Sequence, residues 1–212
     1  MPSLAYSILK FHELNDLNKM IDFAFNNDEE MDFNVIERIP DGLDIHAAPY
    51  QDAAIASYYN TLDDDGKKKL VEDLEASEFV DLDEILSEAA VQEQEQILVA
   101  EERIDLGEKY YKNLIEFGVP DAYEWTKIHW GMKGYAMNTS VDEDKHEISF
   151  MTAGKGVRAL MYKLYEKAGI PFVYRYTDNE FNEYGEIVFS ENGISENDVD
   201  GSWVKETFSD KQ

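Results

Sequence analysis

From Gln51 to Phe117 the chain runs without a proline, and its apolar residues recur between carboxylates at helical spacing. Leu70, Leu74, Phe79, Ile85, Leu86, Ile97, Leu98, Ile104 and Leu106 carry that pattern. Beyond Gly118 the period changes. Glu147 to Thr152, Phe172 to Tyr176 and Gly185 to Phe189 alternate as strands do, while Gly156 to Ala168 reads as a helix burying Val157, Leu160, Met161, Leu164 and Tyr165. A chain that switches between the two periods belongs to the α+β class, and the order hairpin, helix, strand, strand is compatible with a split βαβ sandwich.

The N-terminal segment adds a strand over Leu4 to Phe11 and a helix over Glu13 to Phe25, with Leu14, Leu17, Ile21 and Phe25 on one stripe. Met31 to Pro40 reads as an extended stretch closed by a turn at Pro40 and Gly42. Three regions follow: a strand-helix unit over 1–50, an acidic helical insertion over 51–117, and a sheet-and-helix domain over 118–212. Helix starts are expected at Thr61 with Asp63 to Asp65, and at Asp81, where Glu84 completes a capping-box spacing.

Charge narrows the function classes. The chain carries 46 acidic and 19 basic residues, a formal charge of -27, whereas a small domain usually carries about 2 to 8 charges of either sign. Such a surface repels nucleic acid and anionic membranes over roughly 8 Å at physiological salt and attracts basic grooves. With 43% hydrophobic residues the chain can fill a core. It has no cysteine, hence no disulfide and no thiolate chemistry. The start has no signal-peptide pattern, and no apolar run approaches the roughly 20 residues that span a bilayer. A cytoplasmic location is expected, with no direct nucleic-acid or membrane partner.

Constellations that could carry catalysis or metal binding are weak. His12, His46, His129 and His146 are scattered, and none has a second histidine at zinc-binding helical spacing. Glu196-Asn197-Asp198-Val199-Asp200-Gly201 imitates a calcium loop but begins on glutamate and reaches Thr207 where a bidentate carboxylate is required; a tight acidic turn is the expectation. Gly154-Lys155-Gly156 lacks the full phosphate-binding loop, and no Gly-x-Ser-x-Gly elbow occurs. Pairs such as Asp142 with Asp144 or Glu180 with Glu183 say nothing of acid-base roles without contrasting environments. No catalytic residue, metal site or cofactor is expected. Trp125, Trp130, Tyr135 and Phe150 are expected to seat a connecting helix on the sheet.

Met31-Asp32-Phe33-Asn34-Val35-Ile36-Glu37-Arg38-Ile39-Pro40, Trp130-Gly131-Met132-Lys133-Gly134-Tyr135-Ala136, Ile148 to Ala153, Phe172 to Tyr176 and Glu183 to Glu186 together resemble the YubB-like family of bacteriophage and plasmid proteins. The second segment looks like that family's W-G-T-K-W signature, with Met132 in place of threonine and Gly134 in place of the second tryptophan. Ser3-Leu4-Ala5 lacks the family's usual tryptophan and cysteine. The resemblance implies a C-terminal ferredoxin-like fold and a phage, prophage or plasmid source, but no activity.

Charge and resemblance converge on a non-enzymatic inhibitor. Its carboxylates would occupy the basic groove of a host nucleic-acid-binding defence protein, of restriction or CRISPR type, in place of nucleic acid. Asp63, Asp64, Asp65, Glu72, Asp73, Glu75 and Glu78 are the expected partner-binding residues, because they join dense charge to an apolar stripe. The alternative is an interaction or self-association module that uses the ferredoxin-like surface, its acidity serving solubility alone.

Overall fold

A computed structural model describes residues 4–27, 29–43, 45, 50–87 and 100–208. The chain divides into two compact units, one of Met1–Ile39 with Thr126–Gln212 and one of Pro40–Trp125. The N-terminal strand and helix therefore belong to the same unit as the C-terminal third rather than to a region of their own ending at residue 50.

The first unit is built on a six-stranded antiparallel sheet: β1 (Leu4–Lys10), β2 (Lys133–Asp142), β3 (Glu147–Ala153), β4 (Phe172–Asp178), β5 (Tyr184–Ser190) and β6 (Gly193–Asn197), in the order β2-β3-β1-β4-β5-β6. β1 is internal. It pairs with β3 on one side, Ser7 opposite Phe150, and with β4 on the other, Ser7 opposite Tyr176. Because side chains alternate across a pleated strand, Ser7, Leu9, Phe150, Tyr174 and Tyr176 share one face, and Ile8 and Arg175 share the other. β2 and β6, the edge strands, were not legible as strands in the sequence; β2 is interrupted by register shifts and β6 is exposed along its whole length.

Helix α1 (Leu14–Ala24) buries Leu17, Met20 and Ala24, whereas Leu14, expected on the buried stripe, is 41% exposed. The expected extended stretch after it is a 3-10 turn at Phe33–Val35, capped by the Asp32 carboxylate on the Asn34 amide at 2.9 Å; only Met31 makes a strand-like bridge, to Phe25. Phe33 then meets Phe150 and Trp130 edge-on, with ring centroids 5.7 and 5.6 Å away. Trp130 is fully buried and donates its indole N–H to the Glu37 carbonyl at 3.0 Å. Of the four aromatics expected to seat a connecting helix on the sheet, Trp130 and Phe150 are buried in this unit, Trp125 is buried in the other, and Tyr135 is 54% exposed. Gly134 stands at φ +77, left-handed backbone that a tryptophan there would strain.

The strong sequence helix is Arg158–Ala168, closed by Gly169 in the left-handed conformation. It is tied to the sheet through Tyr174, whose buried hydroxyl accepts from the Val157 amide at 2.8 Å and lies 3.1 Å from the Ser7 hydroxyl. A C-terminal helix (Gly201–Phe208), not foreseen in the sequence, sends Val204 and Phe208 onto Ile8, on the opposite face of the sheet. Its N-cap is Asp200, which accepts from the Ser202 and Trp203 amides. Glu196, at the other end of the calcium-like sequence, is engaged by Arg158 and Tyr162. The segment is thus a strand end and a helix cap.

The second unit holds α2 (Gln51–Tyr59), α3 (Asp64–Leu74), a short α4 (Leu82–Ile85) and α5 (Ala100–Phe117), and the chain leaves it within α6 (Ala122–His129). The described residues of Gln51–Phe117 carry helices and no strand. Ala54, Ile55, Ala56, Leu70, Leu74, Ile85, Tyr110 and Leu114 form its core. Leu86 is exposed, and Ile97 and Leu98 lie outside the described residues. No helix among the described residues is long and apolar enough to cross a membrane.

One close contact in this unit is backbone on backbone. A Cβ added at Gly107 of α5 would stand 2.0 Å from the Ala54 carbonyl oxygen of α2, and neither main chain can move aside cheaply. Gly107→Ala is therefore expected to separate α2 from α5 and destabilise the second unit by about 1–3 kcal/mol, despite alanine's better helix propensity. Urea unfolding followed by far-UV circular dichroism tests this; an unchanged or raised midpoint would contradict the close approach.

Candidate functional site

Every one of the seven carboxylates expected to bind a partner is exposed on α3 or on the turn that follows it. α3 carries them because its opposite side buries Leu70 and Leu74 in the helical core. Their roles differ. Asp63 is the N-cap, its Oδ1 accepting from the Gly66 amide at 2.8 Å. Asp64 and Asp65 occupy the first turn, where negative charge favours the helix dipole. Glu72 faces Lys68 at 3.7 Å, and Asp73 accepts from the Tyr111 hydroxyl of α5. Burial and the Asp73 charge raise the Tyr111 pKa, so this phenol stays a donor.

Glu75 and Glu78 do something else. They line an open groove of about 520 Å3 between the end of α3 and α4, together with Asp81, Asp83 and the apolar Leu74, Phe79, Val80 and Leu82. The expected set is therefore split by the helix itself: at 1.5 Å per residue, Asp63 and Glu75 lie about 18 Å apart along the axis. In the sequence Asp81 is legible only as a helix start. It is one, accepting from the Asp83 and Glu84 amides at 3.0 and 3.1 Å, but it also stands in the groove wall. Lys67, the nearest sequence counterweight to the acid, sits over the Tyr59 ring at 5.4 Å.

Behind the groove wall, Asp52 of α2 is half-buried. Its Oδ2 accepts weakly from the Asp81 amide at 3.4 Å, and its Oδ1, shielded from solvent, has no hydrogen-bond partner. Burial raises its pKa; the Asp81 amide bond works against this, the charges of Glu84 and Asp81 add to it, and the Gln51 side chain opposes it in smaller measure. Chemically, the region offers several carboxylates of one sign at fixed spacing on a helical frame, suited to cationic groups.

The Asp52 environment gives a signed expectation. A carboxyl whose folded pKa is raised contributes stability below its unfolded pKa of about 3.9 and loses it as pH rises through the folded value. At neutral pH the charged form is a burden, so Asp52→Asn, which keeps the acceptor for Asp81, should raise the melting temperature of the second unit by a few degrees at pH 7. The gain should vanish below about pH 4. A melting series of both proteins from pH 3 to pH 8 tests this, and a variant less stable at pH 7 would refute it.

No family model matches the chain, and no curated protein matches it. Among solved structures the chain is similar to protein api92 from Yersinia pseudotuberculosis, of the family model DUF1281. The two share 10% sequence identity over 94% of this chain and 99% of that one, at a TM-score of 0.45.

Proposed function

We propose that the chain is a non-catalytic, acidic inhibitor from a phage or other mobile element. It would occupy the basic groove of a nucleic-acid-binding defence protein in the bacterial cytoplasm, in the place of nucleic acid. The observation that carries this reading is the exposed carboxylate array of α3 and the adjoining groove, held on a scaffold that buries Leu70, Leu74 and Ile85. Charges already fixed on a helix need not be ordered on binding, which lowers the entropic cost of association. The mobile-element source rests on the resemblance to the YubB-like family, and the acidity on a formal charge of -27.

The same reading takes the sheet unit as a ferredoxin-like core with the helical unit inserted into it. Its support is the element order β1, α1, β2, β3, the Arg158–Ala168 helix and β4, with strand order β2-β3-β1-β4, to which β5 and β6 are added at one edge. A second reading, an interaction module that works through this unit, is favoured by one observation: the outer strand β6 is exposed at all five of its residues, and an open strand edge is a template for pairing.

A fair test spares the carboxylates that build helices. Asp63 and Asp81 are caps worth about 0.5–2 kcal/mol each, and Asp73 holds Tyr111. Glu72, Glu75 and Glu78, at the end of α3 and on the turn after it, can be reversed to lysine together. This variant should keep the wild-type circular dichroism spectrum and lose the capture of basic nucleic-acid-binding proteins from bacterial lysate. On the wild type, captured protein should be displaced by duplex DNA and by salt, since exposed pairs contribute only about 0–1 kcal/mol each and act collectively. Undiminished capture by the reversed protein, or indifference to DNA and salt, would overturn the proposal in favour of the sheet-edge reading.

A further inference from the structure

We propose that Glu37 is a pin that holds together the two points at which the chain leaves and re-enters the sheet unit. The unit's first segment ends at Ile39 and its second begins at Thr126. Glu37 stands just before the exit, and His129 and Trp130 stand just after the return. The Glu37 side chain lies 3.0 Å from His129 Nδ1 through Oε1, and its Oε2 accepts from Lys163 Nζ at 2.5 Å. Its main-chain carbonyl accepts from the Trp130 indole at 3.0 Å. Lys163, on the Arg158–Ala168 helix, also donates to the His129 carbonyl at 3.2 Å. Exit, return and the central helix of the sheet unit thus meet in one network whose common member is Glu37.

The surroundings suit a lasting contact. The Glu37 side chain is 26% exposed, so its partners act at reduced solvent screening. Burial pulls its pKa upward, but the hydrogen bonds and charges of Lys163 and His129 outweigh burial and hold the carboxyl below the usual range. Each crossing has further local ties: the Ile39 amide donates to Asn34 Oδ1 at 3.1 Å, and the Trp130 amide to the Thr126 carbonyl at 2.9 Å. These ties stay within one crossing; the Glu37 contacts to His129 and Trp130, like the ring contact of Phe33 with Trp130, run between the two. Glu37 is a positioning residue that acts on the geometry of the two crossings.

Hydrogen exchange on the full-length chain tests this. Glu37→Gln keeps the shape of the side chain and removes its charge. Amides of 34–39 and of 126–134 should both exchange about ten- to a hundredfold faster, as expected for the loss of charge-assisted bonds from a local opening, while β1 and β4 keep their protection. Lys163→Met should loosen the same two segments less, and adding it to Glu37→Gln should change little, because the two groups act through one contact. Faster exchange at one crossing alone, unchanged exchange at both, or fully additive effects would overturn the proposal. Uniform loosening of the whole sheet would do so as well, making Glu37 a general stabiliser and not a pin.

Discussion

The first unit depends on the pairing of β1 with both β3 and β4. Its seven residues, Leu4 to Lys10, match Ala153 to Glu147 on one side, and Ala5 to Lys10 match Asp178 to Val173 on the other. An internal strand supplied by the N-terminus means that the sheet closes only after β3 and β4 have been made, with the helical unit lying between in the sequence. Such non-local pairing slows folding because loop closure precedes the contacts that reward it. The added cost of a long insertion is modest, since each doubling of loop length costs about 0.6 kcal/mol. That logarithm is why a sheet unit tolerates a second compact body between α1 and β2.

The second unit handles a different problem, namely how to pack helices that carry so much negative charge. Small residues allow one close approach of helices: Gly107 lies against the Ala54 main chain, with Ala53 and Ala56 also buried. Most of the described carboxylates are kept outside, and several serve the helices they decorate. Asp63 and Asp81 cap α3 and α4, and Asp73 anchors Tyr111. Acidity here is therefore partly architecture. Glu75 and Glu78, which line the groove and neither cap a helix nor stand in a first turn, are the part that architecture does not explain.

Two carboxylates are drawn inward: Asp121, which accepts from the Glu124 amide at 2.9 Å, and Asp52, which has one unpartnered oxygen and two acidic neighbours. Buried polar groups without partners are uncommon in folded proteins because each forfeits its hydration. The cost here is tolerated beside a wall of further carboxylates, which makes the α2–α4 junction the place where the unit's net charge acts against its own packing.

Much of this was legible from residue order alone. Period and breakers located β1, the Arg158–Ala168 helix, β4, β5 and the helical character of the middle, because each buries one face against a core and buried faces leave a repeat. Asp63 and Asp81 were recognisable as helix starts because capping is local chemistry. The edge strands β2 and β6 left no such trace, being largely exposed or irregular, and the final helix was hidden by a short acidic segment that imitates a metal loop. Two decisions belonged wholly to the tertiary structure. One is the internal position of β1, since which strands pair is set by packing between residues more than a hundred positions apart. The other is the division of the acidic set between the start of α3 and the groove at its end, because charge density along a sequence carries no information about where a helix stops and the chain turns.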